Sequence, residues 1–362
     1  MAWLAVAWRR GEHHRPAAGG DRHELLRRLH PPTGEPATRP LARHCSRVLT
    51  PVAGAGRLRD LQRAHWPHRQ ARPGGAASGR RRQRRHRHGV GRPLELVATW
   101  PADHAAAAVI DAEGLSDHTG QTDKPFALAS VTKLLTALAV LVAVEEGTVS
   151  PDDPAGPPGA TVRHLLAHAS GLAPDDRGSV LAGPGTRRMY SNAGFEVLAD
   201  VVAARAGLPF TQYLTEAVLQ PLRMGATTLA GSPAWGASST VDDLARFAQE
   251  LLRPTLVDSA TMAEATSVAF PGLVGVLPGY GRQDPNDWGL GFELRDAKHP
   301  HWTGASNSPS TFGHFGRAGT FLWVDPDAAL ACVVLTDRTF GQWAIDAWPP
   351  FNYAVVAEFS RQ

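Results

Sequence analysis

Cysteine and long apolar runs are scarce in this chain, and each scarcity excludes a class of protein. The 362 residues include two cysteines, Cys45 and Cys332, too few for a disulfide framework or a cysteine metal cluster. Such cysteine usage fits a reducing compartment, so we expect a cytoplasmic protein. No uninterrupted apolar run approaches the ~20 residues of a membrane-spanning helix, which predicts no membrane partner.

Several catalytic and binding motifs are also absent. There is no Gly-x-Ser-x-Gly element, which disfavours an α/β-hydrolase triad. The segment GPPGATVRH lacks the lysine and the preceding strand of a phosphate-binding loop. His164 and His168 have the spacing of metal ligands, but Leu165 stands where a metalloprotease has glutamate. We therefore expect no metal and no cofactor.

The net charge of +3 conceals two chemically different segments. Residues 1–90 contain 20 arginines, no lysine and five acidic residues, whereas the remainder contains 17 basic and 29 acidic residues. Because residues 1–90 also show little apolar periodicity, we predict that they form a disordered tail. Met1 to Trp8 is apolar and precedes Arg9-Arg10, the reverse of the order in a secretory signal, which again favours the cytoplasm.

Two interpretations of the arginine-rich tail stay open. Such an arm can bind nucleic acid or an acidic membrane. Alternatively, it is a solvated tail, or a segment that belongs to no native protein because the start codon was placed too early. GC-rich DNA tends to encode arginine-rich, lysine-free sequence in any frame, and we favour this second interpretation. A nucleic-acid partner is accordingly not expected, and the oligomeric state stays open.

From Leu94 onward the pattern is that of a folded protein. A strand is predicted over 104–111 and further strands over 288–294, 320–324 and 330–335. Between them, helices are predicted over 130–146, 161–170, 192–206, 209–222 and 240–252. This order predicts an α+β domain over 91–362. In it, 91–125 and 260–362 form an α/β layer, and 126–259 forms a mostly helical insertion.

A serine and a lysine three residues apart form the first catalytic candidate. Ser130-Val131-Thr132-Lys133 lies in the stretch PFALASVTKLLTALAVLVAV, whose only charge is Lys133. A helix that is apolar all round is buried, and an unpaired buried ammonium is costly. Ser130 would share a helix face with an amine whose pKa burial lowers, as in an activated serine nucleophile. The pattern is short, and a surface helix carrying a lysine is the alternative.

Two further motifs follow in order. Tyr190-Ser191-Asn192 begins 60 residues after Ser130, and His314-Phe315-Gly316 follows later. With the three motifs in this order, the chain resembles the serine β-lactamase and penicillin-binding-protein-like hydrolases. The branch it resembles contains class C β-lactamases, esterases and D-aminopeptidases, and HLLAHASGL also resembles a family segment. The resemblance spans about 100 to 340. It implies a β-lactamase/transpeptidase-like fold, with an antiparallel sheet flanked by helices and an inserted, mostly helical domain.

The resemblance also implies catalytic roles. Ser130 would attack a carbonyl and form an acyl-enzyme. Lys133 would keep the proton network basic, and Tyr190 would act as general base or proton shuttle, its phenol assisted by the neighbouring cation. Asn192 would orient Lys133 or bind the substrate. The backbone N–H groups of Ser130 and Arg317 would form the oxyanion hole.

The third motif departs from the family pattern. His314-Phe315-Gly316 stands where many members have Lys-Thr-Gly at the start of a strand. Histidine is mostly neutral at pH 7 and phenylalanine donates no hydrogen bond, so penicillin turnover is disfavoured. Gly316 would let the strand pass close to a bound acyl group. Arg317 can restore a cation for a substrate carboxylate, unless only its backbone matters.

We therefore expect a serine hydrolase that acts on small-molecule esters or amides. One alternative is a β-lactamase or D-alanyl peptidase, disfavoured by His314 and by the absence of an export signal. A catalytically silent binding protein with the same fold is the other alternative, disfavoured because Ser130, Lys133 and Tyr190 are all intact.

Overall fold

The protein combines an antiparallel sheet with helices in residues 92–360, the part of the chain that this computed structural model describes. Its strands are β1 (Ala105–Asp111), β2 (Gly114–Thr119), β3 (Phe126–Ala127), β4 (Thr228–Leu229), β5 (Ala237–Ser239), β6 (Gly275–Leu277), β7 (Gly281–Gln283), β8 (Glu293–Leu294), β9 (Phe312–Gly316), β10 (Thr320–Asp325) and β11 (Leu330–Thr336). Its α-helices are α1 (Thr132–Glu145), α2 (Val162–Leu166), α3 (Asn192–Ala206), α4 (Phe210–Leu214), α5 (Val241–Leu252), α6 (Ser259–Ala265) and α7 (Gln342–Phe359). The predicted tail, residues 1–90, lies outside the described residues.

The main sheet has six strands in the order β2-β1-β11-β10-β9-β8, each antiparallel to its neighbours. The first strand pairs with the last, with Ala106 opposite Leu335. Both faces of the sheet are covered, since successive side chains of β1 enter two different apolar clusters. The alternation follows from the two-residue period of a strand. Helices α1 and α5 contribute to one cluster and α7 to the other.

Helix α1 is the buried centre of one cluster. Every residue from Thr132 to Ala143 is buried, as expected of a helix that is apolar all round. The helix ends before Gly147, whose φ of 70° places it in the left-handed region that glycine adopts freely. The predicted helix over 130–146 is therefore confirmed, except that its first turn, Ala129–Val131, is 3₁₀-helical.

Four details of the predicted elements differ from the structure. The helix predicted over 161–170 shortens to α2, Val162–Leu166. The helix predicted over 209–222 divides into α4 and a π-helical turn, Thr215–Leu219. The strand predicted over 288–294 shortens to the two residues of β8. The mostly helical region also contains a small antiparallel sheet, β3-β5-β4. The domain limits at 91, 126 and 260 stay predictions.

Within residues 92–360, none of the helices combines the length and the apolar character that crossing a membrane requires.

Candidate active site

Ser130 lies in the 3₁₀ turn that leads into α1. The preceding residue, Ala129, has a φ of 47°, a left-handed conformation that is uncommon for a residue with a Cβ. Two contacts hold the turn. The Leu128 N–H donates to the Ala237 carbonyl at 2.9 Å, and the Thr320 hydroxyl donates to the Leu128 carbonyl at 2.9 Å. Ala237 belongs to β5 of the small sheet and Thr320 to β10 of the main sheet. Both sheets therefore hold the serine turn at the positive end of α1.

Tyr190 contacts the serine directly. Its hydroxyl donates a hydrogen bond to Ser130 Oγ at 2.8 Å. Tyr190 stands just before α3, where Ser191 is the N-cap and its hydroxyl accepts from the Gly194 N–H. The Ser191 N–H in turn donates to Nδ1 of His168 at 3.1 Å. Helix capping and the buried imidazole therefore fix the backbone that presents Tyr190 to Ser130.

Lys133 lies within the same group of side chains. Its Nζ donates to Asn192 Oδ1 at 2.6 Å and to the Ala234 carbonyl at 2.9 Å, and lies 4.6 Å from the centroid of the Tyr190 ring. Burial lowers the pKa of Lys133 from its ordinary 10.5 to about 7, against the opposing attraction of Asp175 and Glu196. Near pH 7 a large fraction of this amine is therefore neutral and able to accept a proton.

A general base that works at pH 7 needs a lowered pKa, but the pKa of Tyr190 is raised. Burial of the phenol hydroxyl raises that pKa, while the hydrogen bond with Ser130 works against the rise. At pH 7 the unliganded site therefore holds the proton on Tyr190, and the amine of Lys133 is the more available base. The expectation that Lys133 makes the phenol easier to ionise is not supported by these shifts.

His314 is a neutral, buried side chain. Its Nδ1–H donates to the Phe315 carbonyl at 2.6 Å, and its ring centroid lies 5.7 Å from that of Tyr190. Burial, reinforced by the charge of Lys133, lowers the pKa of His314 to about 3. Within residues 92–360, its Nε2 has no hydrogen-bond partner. His314 therefore offers no positive charge at neutral pH.

In the rest of the third motif, Phe315 belongs to the core and Gly316 lies at the site. His314, Phe315 and Gly316 close β9 rather than open it. The Phe315 ring packs against the opposite cluster, 5.9 Å from that of Trp348, so it faces away from Ser130. At Gly316 a Cβ would lie 2.3 Å from the Leu128 carbonyl oxygen. Only glycine fits this close approach of β9 to the serine turn.

The exposed residue Arg317 opens the turn after β9. Its carbonyl accepts from the Phe340 N–H at 2.8 Å. Gly316 lies against the backbone of Leu128, two residues before Ser130, and Arg317 is the next residue of the chain. Six of the seven predicted site residues thus meet around Ser130 by side chain or backbone, and the exposed Arg317 side chain is the exception. Their catalytic and binding roles stay predictions.

Sequence reasoning missed other parts of the site. Asp175 accepts from Asn192 Nδ2 at 2.7 Å, and Ala234 binds Lys133 through its backbone, so its side chain gives no signal. His168 packs against Tyr190 with ring centroids 4.6 Å apart, and its edge-on neighbour Trp288 begins the strand predicted over 288–294. Trp235 is 52% exposed next to Ala234.

The two spaced histidines do not converge on one point. His164 Nδ1 contacts the Thr161 hydroxyl at 2.9 Å and its ring packs on Phe270, whereas His168 faces Tyr190 and Trp288. Among the described residues, no group of three or more histidine, cysteine, aspartate or glutamate side chains could hold a metal ion.

Comparison with known proteins shows the family to which the chain belongs. The family model described as Beta-lactamase matches residues 57–350. The chain belongs to the serine β-lactamase and penicillin-binding-protein family. This family consists of serine hydrolases, and the predicted resemblance is confirmed. The match begins inside residues 1–90, so the proposed boundary near residue 91 is not established by it.

One solved structure is similar over most of the described fold. A β-lactamase from Mycobacterium bovis is 60% identical, with a TM-score of 0.73, and the match covers 74% of this chain and 99% of that one. The predicted β-lactamase/transpeptidase-like fold is thereby confirmed.

Two curated relatives match over shorter regions. A D-alanyl-D-alanine-carboxypeptidase/endopeptidase of Escherichia coli is 31% identical over 149 residues, covering 31% of this chain and 39% of the relative. Penicillin-binding protein 4* of Bacillus subtilis is 29% identical over 140 residues, covering 30% of this chain and 31% of the relative. The chain thus spans well under half the length of these two proteins.

Proposed function

We propose that the protein hydrolyses small esters or amides through an acyl-enzyme on Ser130. The observation that carries this proposal is the contact of the Tyr190 hydroxyl with Ser130 Oγ at 2.8 Å, beside a Lys133 amine with a pKa of about 7. A nucleophile, a proton relay and a base that is partly neutral at pH 7 therefore stand together.

Acylation uses these positions with the hydrogen bond between Tyr190 and Ser130 reversed, so that the serine hydroxyl donates and the phenol proton turns toward Lys133. Ser130 Oγ forms a bond to the substrate carbonyl carbon while its proton passes to the Tyr190 oxygen. The proton that Tyr190 carried passes to the amine of Lys133, which Asn192 and the Ala234 carbonyl keep in place. The negative charge on the former carbonyl oxygen faces the backbone amides of Ser130 and Arg317.

Release of the leaving group reverses the proton transfer. The bond between the carbonyl carbon and the leaving oxygen or nitrogen breaks, and Tyr190 supplies the proton while Lys133 returns one to Tyr190. Water then attacks the acyl-serine and gives a proton to Tyr190, while the proton that Tyr190 carried passes to Lys133. The bond between the carbonyl carbon and Ser130 Oγ breaks, Tyr190 returns a proton to Ser130 Oγ, and Lys133 returns one to Tyr190. Each half-reaction therefore begins and ends with the same protonation state.

The substrate class follows from the third motif. A neutral His314 and a core-facing Phe315 supply neither the fixed charge nor the hydroxyl of Lys-Thr-Gly. The exposed indole of Trp235 offers an apolar surface beside the site. These features favour acyl groups without the β-lactam carboxylate. The cytoplasmic location expected from the sequence stays a prediction.

A second candidate is turnover of β-lactams. The Mycobacterium bovis structure is titled a β-lactamase and is 60% identical over 74% of this chain. The E. coli relative is named a D-alanyl-D-alanine-carboxypeptidase/endopeptidase, but the match covers only 39% of it. Peptidase activity therefore has weaker support than β-lactam turnover.

The deciding experiment compares two substrates on the full-length protein. A chromogenic cephalosporin and short p-nitrophenyl esters are assayed with wild type and Ser130→Ala, and intact mass spectrometry detects the acyl-serine. Ester turnover and an acyl adduct in wild type alone would support the proposal. Cephalosporin turnover at a higher kcat/KM than any ester would favour the second candidate. Equal ester turnover by Ser130→Ala would refute both.

A further inference from the structure

The exposed carboxylate of Asp175 lies behind the amine of Lys133, with one amide between them. Asn192 joins the two groups. Its Oδ1 accepts from Lys133 Nζ at 2.6 Å, and its Nδ2 donates to Asp175 Oδ1 at 2.7 Å. Lys133 Nζ also lies over the ring of Tyr190, whose hydroxyl contacts Ser130 Oγ. The five side chains therefore form one continuous series of contacts from a carboxylate to the serine.

The backbone beside the first turn of α3 fixes the position of Asp175. The Ala173 carbonyl accepts from the Ser191 hydroxyl at 2.8 Å. The Pro174 carbonyl accepts from the N–H groups of Asn192 and of the following residue, at 2.7 and 3.1 Å. The two residues that precede Asp175 are thus bound to the start of α3. The carboxylate is therefore held beside Asn192 although it faces solvent.

The contact with Asp175 decides which way the Asn192 amide faces. A carboxylate only accepts hydrogen bonds, so it requires the Nδ2 donor of the amide. The Oδ1 acceptor then faces Lys133, whose amine donates to it. In the reverse orientation, amide hydrogens would face the amine and the amide oxygen would face the carboxylate. Asp175 therefore excludes the orientation that would repel a protonated Lys133.

The charges around Lys133 single out Asp175. Three titratable groups near the amine are kept neutral at pH 7 by burial: Tyr190, His168 and His314. Glu196 also attracts the amine, but its oxygens accept from Ser232 Oγ at 2.8 Å and from Arg177 Nε at 3.0 Å. The charge of Glu196 is thus shared with a guanidinium, whereas no ion pair within residues 92–360 includes Asp175.

We propose that Asp175 is a positioning residue for proton transfer: its carboxylate holds the Asn192 oxygen toward Lys133 and places a negative charge behind the amine. In the step that it assists, the Tyr190 O–H bond breaks and a new N–H bond forms on Lys133. Asp175 takes no proton and stabilises the ammonium that results. The inference rests on the proposed acyl-serine chemistry, and it gives Asn192 a role toward Lys133 rather than toward the substrate.

The test is the pH dependence of ester hydrolysis by the full-length protein. Short p-nitrophenyl esters are used because their own charge does not change with pH, and kcat and kcat/KM are measured from about pH 5 to pH 9. Wild type is compared with Asp175→Asn, which removes the charge, and with Asp175→Glu, which keeps it. Asp176→Asn is the matched control, because this exposed neighbour accepts from the Gly178 N–H at 2.8 Å rather than from Asn192.

In the proposed mechanism kcat/KM rises with pH as Lys133 loses its proton, so the midpoint of the rise reports the pKa of this amine in the free enzyme. Burial lowers that pKa to about 7, and the attraction of Asp175 opposes the fall. We therefore expect Asp175→Asn to move the midpoint by about 0.5–1 unit to lower pH, less than for a charge in direct contact.

Asp175→Asn should also lower kcat at high pH about three- to tenfold, because the amine becomes a weaker base. Asp175→Glu and Asp176→Asn should keep a midpoint close to that of wild type. High salt should narrow the difference between wild type and Asp175→Asn, because salt screens an exposed carboxylate.

A contact with a purely structural role would lower activity at every pH without moving the midpoint. Such a result for Asp175→Asn, or an equal shift in Asp176→Asn, would overturn the inference and leave the hydrolase proposal intact. Failure of wild type to hydrolyse any ester would refute both.

Discussion

Replacing Lys133 by methionine tests whether folding removes a proton from this amine. The pKa of Lys133 falls from 10.5 to about 7 because the amine is fully buried. Between these two values the unfolded chain binds one more proton than the folded protein. The free energy of unfolding of wild type therefore rises with pH across this window, by about 1.4 kcal/mol per pH unit from this group. Over the whole window the contribution amounts to about 5 kcal/mol.

Lys133→Met removes this titration while keeping a side chain of similar length. It also leaves Asn192 Oδ1 and the Ala234 carbonyl without their donor, at a cost of about 1–3 kcal/mol each. At pH 7 the two effects oppose each other, so we expect a small net change in stability. As the pH rises toward 10, the free-energy cost of deprotonating Lys133 on folding disappears. Wild type alone gains stability from this change, because the variant has no amine at this position. The variant should then become the less stable protein by several kcal/mol.

The assay is urea unfolding of both proteins at several pH values between 6 and 10, with stability taken as the difference between them. Taking the difference cancels the titration of all other groups that the substitution leaves unperturbed. Below pH 7 the difference should level off, because the folded amine is then protonated as well. A difference that stays flat from pH 7 to pH 10 would show that Lys133 keeps an ordinary pKa, and would remove the base from the proposed mechanism.

Three further predictions concern the same site. Ser130→Ala should abolish ester turnover and leave the thermal midpoint nearly unchanged, as measured by p-nitrophenol release and calorimetry; full activity would refute the nucleophile. Tyr190→Phe keeps the ring beside His168 but removes the hydroxyl that relays the proton, so kcat should fall about 10²- to 10⁴-fold. Stopped-flow kinetics measure the acylation rate, and a wild-type rate would contradict the relay. Gly316→Ala places a Cβ 2.3 Å from the Leu128 carbonyl oxygen, so we expect a loss of about 1–3 kcal/mol in urea unfolding together with lower activity; wild-type values for both would show that β9 does not press on the serine turn.

The sequence predicts local relations within the site better than distant ones. Ser130 and Lys133 are close because they lie three residues apart at the start of one helix, and the apolar flanks predict its burial. Tyr190 and Asn192 could be assigned only through the order of motifs, since their contact with Ser130 and Lys133 depends on how α3 packs against α1. The Ala234 carbonyl could not be found, because a backbone ligand has no residue type.

The fold shows the same limit. Long periodic segments predict α1, α3 and α5, whereas the short β8 and the π-helical turn after α4 depend on tertiary contacts that a single sequence does not display. The direction of the Tyr190 pKa also could not be predicted, because it depends on how deeply the hydroxyl is buried.

The pairing of β1 with β11, and the hydrogen bond from Thr320 to the serine turn, have a consequence for synthesis of the protein. A nascent chain that has just completed α1 already carries its nucleophile and its base. The strand that fixes the turn is translated almost two hundred residues later. Until β10 has left the ribosome, the Thr320 hydroxyl cannot hold the serine turn. We therefore expect the growing chain to gain hydrolytic activity in one late step, when β10 and β11 join β1 in the main sheet.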